Sequence, residues 1–222
     1  MNKEETDKYY IGETFKLALN GKYTVHPNPM VGAVIVKNGK IMGQGYHLKP
    51  GSPHAEQEAI NDAGKSAHNS TLYINLEPCC HYGRTPPCSD LIIRSKIKRV
   101  VVSSLDPNPV VNGKSIEQLK RSGIEVKIGV LKDDAIKLNQ GFFNKFLLKR
   151  PSVTCKSGIS LDGKISLSNG SSKWITSEES RQDVQMERSI ASLIFSSSKT
   201  VILDDPSLNV SDPLLLKKIL KQ

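Results

Sequence analysis

Residues 71–104, TLYINLEPCCHYGRTPPCSDLIIRSKIKRVVVSS, decide the fold. Thr71–Leu76 is a short apolar run that reads as a strand, ended by Glu77-Pro78-Cys79. A loop follows, then a helix through Leu91, Ile92 and Ile93, and Arg99–Ser103 is the next strand. The alternation continues on both sides. Ile11, Phe15, Ala18 and Leu19 recur at helical spacing and predict a helix over roughly residues 7–20. Val31–Val36 and Lys40–Tyr46 flank Asn38-Gly39, the dipeptide of a two-residue hairpin. Ser52-Pro53 predicts an N-cap with proline in the first turn, and a helix from His54 to about Ala63. Further on, Ser115–Arg121 reads as a helix, Ile124–Val130 as a strand and Phe142–Leu148 as a helix. Helices alternating with β-branched strands predict an α/β sheet covered on both faces. Lys149-Arg150-Pro151 interrupts the pattern, and Ser152–Lys156 restarts it as a strand. The chain therefore reads as two domains, 1–150 and 151–222.

Composition narrows the function. No apolar run is long enough to span a bilayer, and the N-terminus lacks the apolar stretch of a secretory signal, so a cytoplasmic enzyme is the expectation. The charge is uneven: residues 1–150 carry 22 Lys/Arg against 14 Asp/Glu, whereas 151–222 is nearly neutral. Such asymmetry suits nucleic acid or an anionic small molecule. The lysines are scattered with no interleaved aromatics, which argues against nucleic acid. Three of the four cysteines cluster (Cys79, Cys80, Cys88, with Cys155 apart), a pattern of metal binding or catalysis in a reducing compartment.

Three segments carry the chemistry: His54-Ala55-Glu56, Pro78-Cys79 and Cys88. One imidazole and two thiolates make a three-ligand zinc site that leaves the fourth tetrahedral position for water. Zinc lowers the pKa of that water to about 7. Glu56, two residues past His54, is placed to shuttle a proton from the water to a departing amine. Cysteines near helix N-termini would be favoured as thiolates. His-x-Glu alone is weak, but His-x-Glu followed by Pro-Cys after a strand matches the zinc nucleobase deaminases. The second half of that pattern departs here, because eight residues separate Cys79 from Cys88.

That long inter-cysteine loop carries a more specific likeness. His26-Pro27-Asn28-Pro29, Gly45-Tyr46-His47, Pro53-His54-Ala55-Glu56, Leu76-Glu77-Pro78-Cys79, Gly83-Arg84-Thr85-Pro86-Pro87-Cys88 and Asp106-Pro107-Asn108-Pro109 resemble the deaminase half of the bifunctional riboflavin-biosynthesis deaminase/reductases. Ser160-Leu161-Asp162-Gly163, Ser172-Lys173-Trp174-Ile175-Thr176 and Asp204-Asp205-Pro206 resemble the start of their reductase half. The resemblance implies a cytidine-deaminase-like three-layer α/β/α sandwich followed by the incomplete start of a dihydrofolate-reductase-like α/β domain. It implies deamination of 2,5-diamino-6-(5-phosphoribosylamino)pyrimidin-4(3H)-one to the uracil, then reduction of the ribosyl chain with NADPH. His54, Cys79 and Cys88 match zinc ligands and Glu56 the proton shuttle. Asn28 and His47 match positions lining the pyrimidine pocket, and His81 and Arg84 those that handle the substrate phosphate. Cys80 stands where a serine is common and is read as a loop residue.

Other readings stay open. Asn28 also suits a turn cap, His47 an ordinary loop histidine, and Asp106-Pro107-Asn108-Pro109 a plain turn. A tRNA-type base deaminase, a fully bifunctional enzyme and a non-catalytic zinc module are the competing functions. In the second domain Gly158, Trp174, Thr200 and Asp204 match dinucleotide-binding positions, and Ser172, Arg188 and Leu208 sugar-phosphate positions. An expected arginine after Leu208 is replaced by Ser211, no Gly-rich phosphate turn follows, and 72 residues are short for a dinucleotide-binding domain. A small phosphorylated pyrimidine, no nucleic acid and no membrane are the expected partners. NADPH binding is expected to be lost or to be restored by a homo-oligomer or a separate chain.

Overall fold

Asn38 and Gly39 both take positive φ, 51° and 72°, the backbone of a turn whose twist matches its flanking strands. They close β1 (Gly32–Lys37) antiparallel onto β2 (Lys40–Tyr46). The structure, a computed structural model, describes residues 2–83 and 86–220. It divides into two compact units, Met1–Ser152 and Val153–Gln222.

In the first unit β3 (Thr71–Leu76), β4 (Arg99–Ser104) and β5 (Glu125–Ile128) complete a five-stranded sheet of order β2-β1-β3-β4-β5. β1 pairs antiparallel with β2 and β3, while β3, β4 and β5 run parallel. Alternate residues face opposite layers. Ala33, Ile35, Leu72, Ile74, Val100 and Val102 bury against α2 (Ala55–Ala63), α3 (Cys88–Arg94) and α4 (Lys114–Arg121). Val34, Val36, Tyr73 and Val101 bury against α1 (Lys3–Ala18) and the Val130-Leu131 turn into α5 (Lys132–Leu138). Helix α6 (Gln140–Leu147) follows. The result is a three-layer α/β/α sandwich of the cytidine-deaminase type. Central strands covered on both faces read as continuous apolar runs, which is why Val34-Ile35-Val36 and Val100-Val101-Val102 lack polar alternation.

Two local expectations need correction. Helix α2 begins at Ala55 with His54 as its N-cap, not at Ser52-Pro53. The Ser52 hydroxyl instead closes a turn onto Lys49, donating to its carbonyl at 2.7 Å and accepting from its amide at 3.1 Å. The expected strand at Ser152–Lys156 does not form: the described residues of the second unit contain α7 (Glu178–Ile190), α8 (Ser198–Asp204) and α9 (Pro213–Leu220) but no strand. A strand exists only by pairing, and this stretch finds no partner edge among them.

A buried ion cluster ties the layers together. Asp7 on α1 accepts two hydrogen bonds from Arg99 of β4, at 2.7 and 2.9 Å, one from Lys127 of β5 at 2.9 Å and one from Tyr73 of β3 at 3.1 Å. Burial pushes the Asp7 carboxyl up, but the bonds and charges of Arg99 and Lys127 outweigh it and hold the pKa down to about 2. A carboxyl depressed in the folded state contributes stability that is present above its unfolded pKa of about 4 and is lost as pH falls through the folded value. Acid titration of unfolding should therefore show a loss of about 2 kcal/mol between pH ~5 and ~2 that is absent from the Asp7→Asn variant.

Candidate active site

Helix α2 rides close on β2. A Cβ added at Gly45 would lie 2.5 Å from the Ala55 carbonyl oxygen and 2.6 Å from the Ala59 amide, so no side chain fits between strand and helix there. This contact holds the mouth of α2, with His54 at its N-cap and Glu56 in its first turn, at one end of the sheet. Cys79 lies in the turn after β3, and Cys88 is the first residue of α3. The parallel crossover from β3 through α3 to β4 therefore delivers both cysteines to the carboxyl end of the sheet, where α/β folds gather their sites.

The three side chains converge. His54 Nδ1 is 3.5 Å from Cys79 Sγ and 3.4 Å from Cys88 Sγ, and the three donor atoms all lie within 4.8 Å of one another. The backbone amide of Cys88 donates to Cys79 Sγ at 3.4 Å. Only Cys88 occupies a helix N-terminus; Cys79 reaches the same amide dipole through this bond. Cys80 turns elsewhere, its Sγ 4.0 Å from the Val110 carbonyl oxygen. One imidazole and two sulfurs at this spacing form a donor set suited to zinc, with three protein ligands among the described residues rather than the four of a closed structural site.

The electrostatics split the two thiols. The hydrogen bond from Cys88 lowers Cys79 to about 4 against its burial, helped by His54 and the Cys88 amide. Cys88 is pushed well up by that same bond, by burial and by Glu56. His54 is raised, chiefly through its bond to Cys79. Glu56 is almost fully buried, and burial followed by the Cys79 charge raises it to about 7, with His54 and Cys88 pulling the other way.

A second pair of side chains sits beside the first. His47 stands edge-on to His54, their ring centroids 5.2 Å apart. Its Nε2 is 3.0 Å from Asn28 Nδ2, and its Nδ1 is 3.1 Å from the Pro53 carbonyl oxygen. Burial lowers its pKa, against the bond to the Pro53 carbonyl. The loop carrying Asn28 is clamped by two residues that the motifs do not include. Buried Asn75 accepts from Gly32 N at 2.8 Å and donates to the Met30 carbonyl at 2.9 Å, while Asn139 accepts from Met30 N at 2.7 Å and donates to the same carbonyl at 2.9 Å. An asparagine inside the otherwise apolar strand TLYINL was the one visible signal for Asn75; nothing local marks Asn139.

Glu77 is structural. Buried at the end of β3, it accepts from Asp106 N at 3.2 Å, Gly113 N at 2.9 Å and Ser115 Oγ at 2.8 Å, and so anchors the loop 106–113. Asp106 and Asn108 each accept a backbone N–H two residues on, at 2.8 and 3.1 Å, which makes the Asp-Pro-Asn-Pro segment a pair of side-chain turns.

His81 is exposed in the inter-cysteine loop; Arg84 lies outside the described residues. In the second unit Arg188 of α7 donates to the carbonyls of Ser207 and Asn209 at 3.1 and 3.2 Å, which brackets Leu208. The exposed indole of Trp174 is covered by the Arg181 guanidinium at 4.5 Å from the ring centroid. Gly158 approaches Thr176, where an added Cβ would be 3.7 Å from Cγ2. Ser172 is half-buried near Trp174 in sequence. Thr200, half-buried, donates its amide to Ser197 Oγ at 3.1 Å at the start of α8, and Asp204 ends that helix, exposed.

Residues 4–104 match the family model of the cytidine and deoxycytidylate deaminase zinc-binding region, and residues 151–215 match that of the RibD C-terminal domain. The riboflavin biosynthesis protein RibD of Aquifex aeolicus is 52% identical over 206 residues, 93% of this chain and 58% of the relative. Acinetobacter baumannii RibD superposes with a TM-score of 0.90 at 46% identity, covering 95% of this chain and 59% of that one. A Thermotoga maritima protein described as a diaminohydroxyphosphoribosylaminopyrimidine deaminase/5-amino-6-(5-phosphoribosylamino)uracil reductase superposes with a TM-score of 0.89 at 42% identity, over 95% of this chain and 60% of its own. The chain thus spans somewhat more than half the length of these relatives. With a cytidine-deaminase-like zinc-binding domain joined to the start of a RibD C-terminal domain, it belongs to the RibD family of riboflavin biosynthesis.

Proposed function

We propose that this chain hydrolytically deaminates 2,5-diamino-6-(5-phosphoribosylamino)pyrimidin-4(3H)-one to 5-amino-6-(5-phosphoribosylamino)uracil. The observation that carries the reading is the meeting of His54, Cys79 and Cys88 with a buried carboxylate, Glu56, two residues from one of them. The substrate follows from the Thermotoga relative's description and from the basic balance of residues 1–150, which suits a phosphorylated ligand.

His54, Cys79 and Cys88 would hold a zinc ion, which supplies Lewis-acid activation of water at neutral pH. Glu56 handles the protons. It accepts one from the attacking water and returns it to the amino group as the ring carbon–nitrogen bond breaks, so that water enters and ammonia leaves. A pKa near 7 lets the carboxyl serve as base and then acid without a large cost in either direction. Burial of Glu56 keeps bulk water from competing for that proton. His81 and Arg84 are assigned to the phosphate, an anion to which an Arg fork is suited.

Substitution separates these roles. Glu56→Gln should keep about one zinc per chain by elemental analysis while ammonia release falls ~10²–10⁴-fold. Cys79→Ser and Cys88→Ser should lose both zinc and activity. Full activity in Glu56→Gln, or preferential deamination of a tRNA loop, would reverse the assignment.

For the second unit we propose little or no NADPH binding by this chain alone. Trp174 is occupied by Arg181, Arg188 by backbone carbonyls, and the described residues offer no strand to build the usual phosphate-binding turn. Titration of NADPH by fluorescence should show no saturation at micromolar concentrations; saturable binding there would overturn the proposal.

A further inference from the structure

Asn139 is buried and takes no direct part in the proposed reaction. It stands between two helices, closing α5 and opening α6 with φ −115° and ψ 32°. Asparagine at the start of a helix ordinarily turns its side chain onto the first-turn amides. Here no such bond forms. The side-chain amide reaches back 109 positions instead: Oδ1 accepts from Met30 N at 2.7 Å, and Nδ2 donates to Met30 O at 2.9 Å. The backbone of Met30 fixes the orientation of that amide, since its N–H can only donate and its carbonyl can only accept. Asn75 Nδ2 donates to the same carbonyl at 2.9 Å, which fills both of its lone pairs. Each polar backbone group of Met30 is thus held by a side chain from elsewhere in the fold.

The loop that Met30 ends has few bonds of its own to give. Pro27 and Pro29 have no N–H. Asn28 N closes onto Val25 O at 2.9 Å, and beyond Met30 the Val31 carbonyl accepts from His47 N at 2.9 Å. Asn28 is therefore held between a short turn and the Met30 clamp, from which Pro29 alone separates it. We infer that Asn139 is a positioning residue for the proposed deamination: by pinning the Met30 peptide it fixes the loop 26–31 against the site, where the pyrimidine ring is received. The inference rests on the aminopyrimidine-deaminase reading. It also places a determinant of that site on the connector that leads, through α6, out of the first unit. The side-chain bonds of Asn139 go to the loop and not to α2 or to the β3–α3 crossover, which carry the candidate zinc ligands and Glu56. Its contribution is therefore to binding shared by ground and transition states, which sets KM and leaves kcat.

The test compares zinc-loaded variants of the full chain. Asn139→Leu removes both bonds at nearly equal volume, and Asn139→Asp keeps the acceptor for Met30 N but sets an oxygen against Met30 O. Both should keep zinc and exchange the Met30 amide proton faster than wild type. Both should raise KM for the diaminopyrimidine phosphate about tenfold or more while kcat stays within about threefold. Tyr10→Phe is the control. It removes a hydrogen bond of 2.8 Å from a side chain to the Gly39 carbonyl, at the other end of β1, so Tm should fall while KM and Met30 exchange stay at their wild-type values. KM unchanged in both Asn139 variants, or raised equally in Tyr10→Phe, would overturn the inference. Loss of zinc and of cooperative unfolding in both Asn139 variants would overturn it too, by making Asn139 a structural residue only. Should the wild type release no ammonia from the diaminopyrimidine phosphate, the proposed reaction fails. Equilibrium binding of that phosphate then takes the place of KM, and a wild type that does not bind it overturns the inference as well.

Discussion

The seating of α2 on β2 is the constraint on which the candidate site depends. Gly45 meets the backbone of α2 with no room for a methyl group, and Gly43 faces Ala59 and Ala63 in the same way. The helix therefore lies at a distance set by backbone, and its first turn cannot slide outward without opening the β1–β2 edge. His54 and Glu56 inherit that position. The cysteines arrive from the other direction, on the crossover between two parallel strands buried on both faces. Two rigid elements, separately anchored in one core, thus bring together an imidazole and two sulfurs that are far apart in sequence. Sites placed this way hold their geometry more closely than sites carried on loops alone.

The fold was legible because its local and global signals agree. Asn38-Gly39 between two strands, the β-branched runs at Val100–Val102 and the apolar helix faces each demand what the sandwich provides. Among the candidate zinc ligands, residue type and order were enough to name His54, Cys79 and Cys88, and the structure brings their donor atoms together. What the sequence did not disclose is which polar residues hold the others. Asn139 clamps Met30 across 109 positions, and Glu77 turns from a motif residue into the anchor of the loop 106–113. Such bonds join backbone groups to distant side chains, and no periodicity or spacing encodes them. The misplaced start of α2 has a similar cause: Ser52 satisfies the cap rule locally, but its hydroxyl is already engaged with Lys49.

The same contrast separates the two units. In residues 3–147 every element has a neighbour, and the strands are paired. Ser152–Lys156 has strand-forming sequence but forms no strand, because β structure is a property of two segments and not of one. Helices α7, α8 and α9 form regardless, since their hydrogen bonds close within the segment; Ser177 and Ser197 cap the first two by accepting from Ser180 N and Thr200 N. Local rules account for the helices of this unit once they are seen, but they failed for the one element predicted there, its strand.

The candidate site carries its own argument about charge. Glu56, Cys79 and Cys88 are three acids packed around one imidazole, mostly out of reach of water. Three buried negative charges against a single positive one would be costly. The cluster meets that cost by keeping protons: Cys88 is driven well above its ordinary range and Glu56 to about 7, while Cys79 alone is lowered. A divalent cation in the donor set changes the balance, since it compensates two thiolates at once and binding releases the proton that the sulfurs share. Glu56 is then the one remaining acid, close enough to feel the site yet outside the set of three donors. A carboxyl in that position has a proton affinity governed by burial rather than by ligation, which is the property that the proposed deamination asks of Glu56.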